Sequence, residues 1–308
     1  MKIAVIGAGA MGGALAAEAA HAGHDVYVLD VSADLVAAIR ERGIVVTLED
    51  EQVTGRVRAE TDPAAIGPVD LVVIFVKAQH TMSAASRVGA LRHPGTIVLS
   101  LQNGWGNADA IADVAGTDRL VFGVTYNSCS SSGLAQIRHT GRGQTVIGPY
   151  AADQAGADAA ESAAAALTSA GWACRVSPDV RTEIWKKLIL NAATLPTAAL
   201  TNLPAGDLTL GTAMRELVDA AAREACTVAM GLGLAIDPNE RLDTIHAVLE
   251  AAGKGKASML QDTQAKRKTE VEVINGAVAR IAADLGIAVP VNRALAALIS
   301  GLERSWSL

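Results

Sequence analysis

Short, wholly apolar runs alternate with stretches of helical spacing through the first half of this chain, and the alternation stops near its middle. Residues 1–6 (MKIAVI), 69–76 (VDLVVIFV), 95–101 (GTIVLSL) and 118–124 (DRLVFGV) are near-continuous apolar runs, and 25–30 (DVYVLD) is a fifth strand candidate. Such runs predict strands buried on both faces, as in parallel sheets covered by helices. Helices are predicted at 10–22, 33–42 and 158–170, and a further strand at 173–176. Residues 44–58 read as a polar hairpin. Residues 126–150, rich in Ser, Gly and Thr, predict antiparallel strands at one sheet edge. Strands alternating with helices imply an α/β, doubly wound parallel sheet.

Ser177-Pro178-Asp179 is the linker candidate, and beyond it the strand pattern disappears. Helices are expected at 182–199, 211–230, 238–252, 269–285 and 292–304. The expected organisation is therefore a sheet domain at 1–178 and an all-helical domain at 179–308. The crevice between two such domains is the default place for a site.

Composition narrows the class. Half of the residues are hydrophobic but only 3% are aromatic, so the cores must be built from Ala, Val, Leu and Ile. Acidic residues number 32 against 26 basic ones, with no Lys/Arg block, which argues against a nucleic-acid surface. Cys129, Cys174 and Cys226 are far apart and without nearby His pairs, so neither a disulfide nor a metal is expected, and a reducing cytoplasm is the expected home. No apolar run reaches the ~20 residues of a membrane span. Nothing in the sequence opposes a homodimer, which stands as a candidate assembly.

The first strand runs straight into Gly7-Ala8-Gly9-Ala10-Met11-Gly12 and then a helix, and the second strand ends in Asp30. This is the βαβ dinucleotide fingerprint in its proper context, the start of a Rossmann-type domain. Gly7 allows the tight turn, Gly9 admits a pyrophosphate, and Gly12 lets helix and strand pack closely. Asp30 can accept both hydroxyls of an adenosine ribose. A phosphate at the 2′ position would meet its like charge, with no evident Arg close by to offset it. NAD(H) is therefore favoured over NADP(H).

Lys77 and Asn103 follow successive apolar strands, in VKAQHT and LQNGWGN. Ligands of open α/β sheets bind at the carboxyl ends of strands, so both point toward the nicotinamide end. The plain alternatives are a solvated strand-capping lysine and an Asn-Gly turn. In the first predicted helix of the second half, Lys187, Asn191 and Leu195 share one face among apolar neighbours. A buried ammonium needs a partner or a task. Protonating the alkoxide formed when hydride reduces a ketone is such a task, and a lysine snorkelling at the helix rim is the alternative. Thr269-x-x-Glu272 reads as a capping box that would start a helix with Glu270 in its first turn. On one straight helix Ser258 and Glu270 would stand about 18 Å apart. If both serve one substrate, the chain must break or double back before Thr269; otherwise a long surface helix carries a basic patch at 266–268.

Taken together, GAGAMG, VKA, NGWGN, RGQTVIG (142–148), WKKLILN (185–191), SMLQD (258–262), KTEVEVINGA (268–277) and GIAVPVN (286–292) resemble the ketopantoate reductase (2-dehydropantoate 2-reductase) family over nearly the whole chain. The resemblance implies a Rossmann domain joined to a helical domain, and NADPH-dependent reduction of ketopantoate to pantoate on the pantothenate route to coenzyme A. It implies Lys187 as general acid, Glu270 as the carboxylate orienting it, and Ser258 as the group meeting the substrate carboxylate. Asn103 and Asn191 are similar to asparagines that contact cofactor ribose or substrate, Lys77 to the cofactor-side lysine, and Asp262 to an acid near the substrate pocket.

Two departures stand out. Val31 replaces an Arg common in the family, and Leu195 stands where many members carry a second Asn before Pro196. The expected activity is NAD(P)-dependent reduction of a 2-keto acid, ketopantoate first. Another 2-hydroxy or 2-keto acid used with NAD(H) is the alternative, and a non-catalytic dinucleotide sensor the competing class.

Overall fold

The computed structural model describes residues 1–49 and 51–306, which fall into two compact units. The first comprises 1–102 and 107–180; the second comprises 181–308 together with the short turn 103–106.

In the first unit the chain runs β1 (Lys2–Ile6), α1 (Ala10–His21), β2 (Asp25–Leu29), α2 (Ala33–Arg42), β3 (Ile44–Leu48), β4 (Glu51–Gly55), β5 (Arg58–Glu60), β6 (Leu71–Ile74) and α3 (Thr81–Ala85). It continues with β7 (Ile97–Ser100), α4 (Asn107–Ala115), β8 (Leu120–Thr125), β9 (Ser128–Gly133), β10 (Gln136–Gly141), β11 (Thr145–Pro149), α5 (Gln154–Ser169) and β12 (Cys174–Val176). Eight strands form one sheet in the order β12-β11-β8-β7-β6-β1-β2-β5. All neighbours pair parallel except β11 with β8. The apolar runs supply β1, β6, β7 and β8, whose central residues are buried on both faces. Strand order reverses at β1, where β2 lies to one side and β6 to the other, so ligands are expected at the carboxyl ends of β1 and β6.

The expected edge strands of 126–150 divide. β11 joins the main sheet antiparallel to β8, as expected. β9 and β10 instead combine with the β3–β4 hairpin in a second sheet, β4-β3-β10-β9. Both sheets crowd α1, which is buried from Gly12 through Ala19. A Cβ on Gly55 would lie 2.3 Å from the Cα of Ala17, and one on Gly13 would lie 2.5 Å from Ile137 Cδ1. At positions 13 and 17 only small residues fit, which accounts for the glycine and alanine there. Its one acid, Glu18, is buried and held by His139 Nδ1 at 3.0 Å, by the indole N–H of Trp172 and by Arg142 at 3.5 Å. His139 passes its other nitrogen to Asn127 Oδ1 at 3.1 Å. Both ring nitrogens thus face oxygen atoms, and the ring ties the helix to the second sheet.

In the second unit the helices are α6 (Val180–Thr201), α7 (Thr212–Gly231), α8 (Pro238–Ala252), α9 (Ser258–Gln264), α10 (Asn275–Asp284) and α11 (Pro290–Ser305). Their core is mainly aliphatic, with Trp185 fully buried. The single helix expected at 269–285 is not formed. The chain turns at Lys266 (φ 50°), makes a 3-10 turn at Val271–Val273, and starts α10 only at Asn275. Thr269 does not build the capping box because its N–H and hydroxyl both donate to Glu303, at 2.8 and 2.6 Å. No helix among the described residues is long and apolar enough to cross a membrane.

Candidate active site

At the start of the first unit each glycine of the fingerprint has a distinct physical reason. Gly7 sits at φ +96°, which side chains disfavour. A Cβ on Gly12 would lie 2.0 Å from the Gly7 carbonyl oxygen, so the helix can approach its strand only with glycine there. Around Gly9 there is open space, and α1 starts with no side chain capping its first turn. Its N–H groups, in the stretch Gly9-Ala10-Met11, suit a phosphate. Ala8 donates its N–H to Asp30 Oδ2 at 2.8 Å, and Ser32 N–H donates to Oδ1 at 2.9 Å. These two bonds fix the carboxylate at the end of β2 and leave each oxygen further acceptor capacity. Val31 beside it is 76% exposed. The next arginines along the chain are committed elsewhere: Arg40 to Glu60 and the Ala59 carbonyl, and Arg42 to the Leu134 carbonyl. The residues present fit a dinucleotide.

Lys77 lies just past β6 and is half-buried. The strand ends around it are tied by a polar network that sequence reading missed. Gln102 Nε2 donates to the Val76 carbonyl at 2.9 Å and to Thr81 Oγ1 at 2.8 Å, and Thr81 donates to Asn107 at 3.1 Å. The signal was available: Gln102 sits just past an apolar strand, Thr81 and Asn107 begin the helices that follow, and buried polar groups need partners.

The second unit gathers three of the expected residues. Lys187 Nζ, on the face of α6, donates to Asn103 Oδ1 at 2.9 Å, and Asn103 Nδ2 donates to Glu270 Oε2 at 3.4 Å. Asn103 reaches this place because its turn is clasped to the 3-10 turn after Glu270. Trp105 N–H donates to the Val273 carbonyl at 2.8 Å, and the Trp105 ring packs against Trp185 with centroids 5.6 Å apart. Gly104, at φ +90°, has no room for a side chain, since its Cβ would stand 2.5 Å from Val273 O. Glu270 is buried, and Lys187 is flanked by the fully buried Leu188 and Ile189. Burial pushes the Lys187 ammonium from 10.5 down to about 8, and the Glu270 carboxylate opposes part of that fall. Such a group is charged at neutral pH and gives up its proton readily to a stronger base.

Asn191 is buried one turn along α6, and Leu195, a turn further, packs partly against the helical core. Ser258 is exposed at the first position of α9. Asp262 is buried and turned to Arg267, whose Nε and Nη2 both lie 3.2 Å from Oδ1. Because the chain breaks between α9 and Thr269, the straight-helix separation of Ser258 and Glu270 does not apply. The three cysteines are free, and no metal-binding cluster of His, Cys, Asp or Glu occurs among the described residues.

Residues 3–152 match the family described as ketopantoate reductase PanE/ApbA, and residues 179–303 match its C-terminal counterpart. The chain belongs to the ketopantoate reductase family. A 2-dehydropantoate 2-reductase of Halobacterium salinarum is 32% identical across 99% of both chains, and that of Pyrococcus abyssi 34% across 98%. Among solved structures, a PanE/ApbA family ketopantoate reductase of Ralstonia eutropha superimposes with a TM-score of 0.90 at 32% identity over the whole of both chains. A D-mandelate dehydrogenase solved with NADH and anilino(oxo)acetate gives 0.94 at 25% identity, again over the whole of both chains. Family membership makes this ketopantoate reductase relative a nicotinamide-dependent oxidoreductase of a keto or hydroxyl carbon.

Proposed function

We propose that this protein reduces a 2-keto acid to a 2-hydroxy acid, ketopantoate to pantoate being the first candidate, with Lys187 as general acid. The observation that carries the reading is the Lys187–Asn103–Glu270 arrangement: a lysine with lowered proton affinity, held by an amide and backed by a carboxylate. The dinucleotide, when bound, supplies the hydride. Residues 1–178 form the domain that binds it, with Gly7, Ala8, Gly9, Ala10, Met11 and Gly12 around the pyrophosphate, Asp30 on the ribose, and Lys77 and Asn103 toward the nicotinamide. Residues 179–308 form the substrate and catalytic domain. As the keto oxygen gains charge, the Lys187 ammonium donates a proton to it. Glu270 keeps that lysine protonated until then, and Asn103 fixes its direction. Asn191, Leu195, Ser258 and Asp262 shape the substrate side.

Two observations favour a narrower version, in which the cofactor is NADH and the acid differs from ketopantoate. Asp30 is backed by two backbone N–H groups, Val31 is exposed, and Arg40 and Arg42 are engaged elsewhere. Leu195 offers no partner for a substrate hydroxyl, and the D-mandelate dehydrogenase relative was solved with NADH. A non-catalytic sensor has no use for a buried ammonium held in this way. The test is a parallel assay of NADH and NADPH oxidation against ketopantoate and a panel of 2-oxo acids. Turnover of at least one acid supports the reading. Tight dinucleotide binding without turnover of any overturns it.

A further inference from the structure

Pro196 lies inside α6, one residue past Leu195. A helix bonds the N–H of each residue to the carbonyl four positions earlier, so Pro196 deprives the Ala192 carbonyl of its partner. Ala192 is fully buried, and water cannot supply the missing donor. Asn275 does: its Nδ2 donates to Ala192 O at 2.8 Å. The other Nδ2 hydrogen goes to Asn292 Oδ1 at 3.0 Å. Asn292 Nδ2 in turn donates to the Ala221 carbonyl at 2.9 Å and to Glu224 Oε2 at 2.8 Å. Glu224 also accepts the N–H groups of Val291 and Asn292 at the start of α11, each at 2.9 Å. Both asparagines are fully buried, and each hydrogen bond has one permitted direction because Glu224 only accepts.

We propose that Asn275 is a positioning residue for the substrate face of α6. Its amide stands in for the N–H that Pro196 lacks and so fixes how Asn191 and Leu195, both N-terminal to the proline, sit on α6. The proposal rests on the reading above that Asn191 and Leu195 face the substrate. It differs from a general packing role because a buried leucine in place of Asn275 fills much the same space and removes the two hydrogen bonds of its amide, one to the Ala192 carbonyl and one to Asn292 Oδ1.

The test is a double-mutant cycle on the full chain with Asn275→Leu, Pro196→Ala and both together. Pro196→Ala restores a helical N–H to the Ala192 carbonyl, so the asparagine is no longer needed for α6 and only its bond to Asn292 Oδ1 is lost in the double variant. Asn275→Leu alone is expected to raise the KM for the keto acid by about tenfold, below the ~10²-fold that a ~1 Å misplacement of a positioned group can cost, with the KM for dinucleotide unchanged. In the Pro196→Ala background the same change is expected to cost less than about threefold in KM, and the unfolding midpoint is expected to recover in part, the loss of the Asn292 bond remaining. Equal losses in both backgrounds overturn the proposal, as does coupling seen in unfolding but not in KM. Should Asn275→Leu fail to fold alone, an insoluble double variant overturns it and a soluble one supports it. If the unaltered protein turns over no 2-oxo acid, the functional reading falls and the positioning role falls with it, while the unfolding cycle still decides whether Asn275 replaces the missing N–H.

Discussion

Replacing Lys187 by Met keeps an unbranched stem on the same face of α6 and removes the ammonium. The fall from 10.5 to about 8 means that the site favours the neutral amine by about 3 kcal/mol more than water does. That preference eases transfer of the proton to a developing alkoxide, a part of it being felt in the transition state. Loss of a general acid independently predicts ~10²–10⁴-fold. Lys187→Met is therefore expected to lower kcat for keto-acid reduction at least about a hundredfold, while dinucleotide affinity, which the proposed function assigns mainly to the glycine turn and Asp30, is expected to hold. The assay is cofactor absorbance at saturating substrate, with fluorescence titration of the dinucleotide and circular dichroism as controls. A folded variant that retains turnover within about threefold of the original would refute the assignment, since no general-acid role is that small.

The Glu270 carboxylate raises the proton affinity of Lys187 against the effect of burial, so Glu270→Gln should move the alkaline limb of the reduction profile to lower pH. A limb that stays in place or moves up would remove Glu270 from this role. Asp30→Ala combined with Val31→Arg should shift the ratio of kcat/KM toward NADPH, because it replaces a like charge with a counter-charge; an unmodified protein that already prefers NADPH would contradict the reading of Asp30. Leu195→Asn should raise efficiency on ketopantoate relative to an acid lacking the hydroxyl, since an unpaired buried hydroxyl costs roughly 1–3 kcal/mol. If the unmodified protein already favours ketopantoate strongly, Leu195 acts only in packing.

Legibility in the sequence followed the range of the interaction. The glycine turn was readable because φ at Gly7 and the contact of Gly12 with Gly7 O are settled within a few residues. The buried strands were readable because their runs are continuous. By contrast, β9 and β10 carry Ser, Gly and Thr, and a short polar strand does not declare which sheet it joins; α1 and the β3–β4 hairpin decide that. The capping box at Thr269 was a sound local pattern overridden by Glu303, 34 residues on. Lys187 could be suspected from its apolar neighbours, but its bond to Asn103 spans 84 residues and has no signature in either segment. Pro196 within a helical pattern was the one hint that a distant donor such as Asn275 had to exist.

The central claim, that Lys187 gives its proton to the reduced keto oxygen, is tested most directly by the pH dependence of kcat/KM in both directions, which reports groups of the free enzyme. Reduction requires the ammonium, and 2-hydroxy acid oxidation requires the neutral amine. With the Lys187 proton affinity at about 8, reduction should be level in mild acid and fall as pH rises through about 8, while oxidation rises through the same value. Mirror-image profiles crossing there are the predicted result; a reduction rate that persists unchanged to pH values well above 8, or two profiles of the same sense, would contradict it.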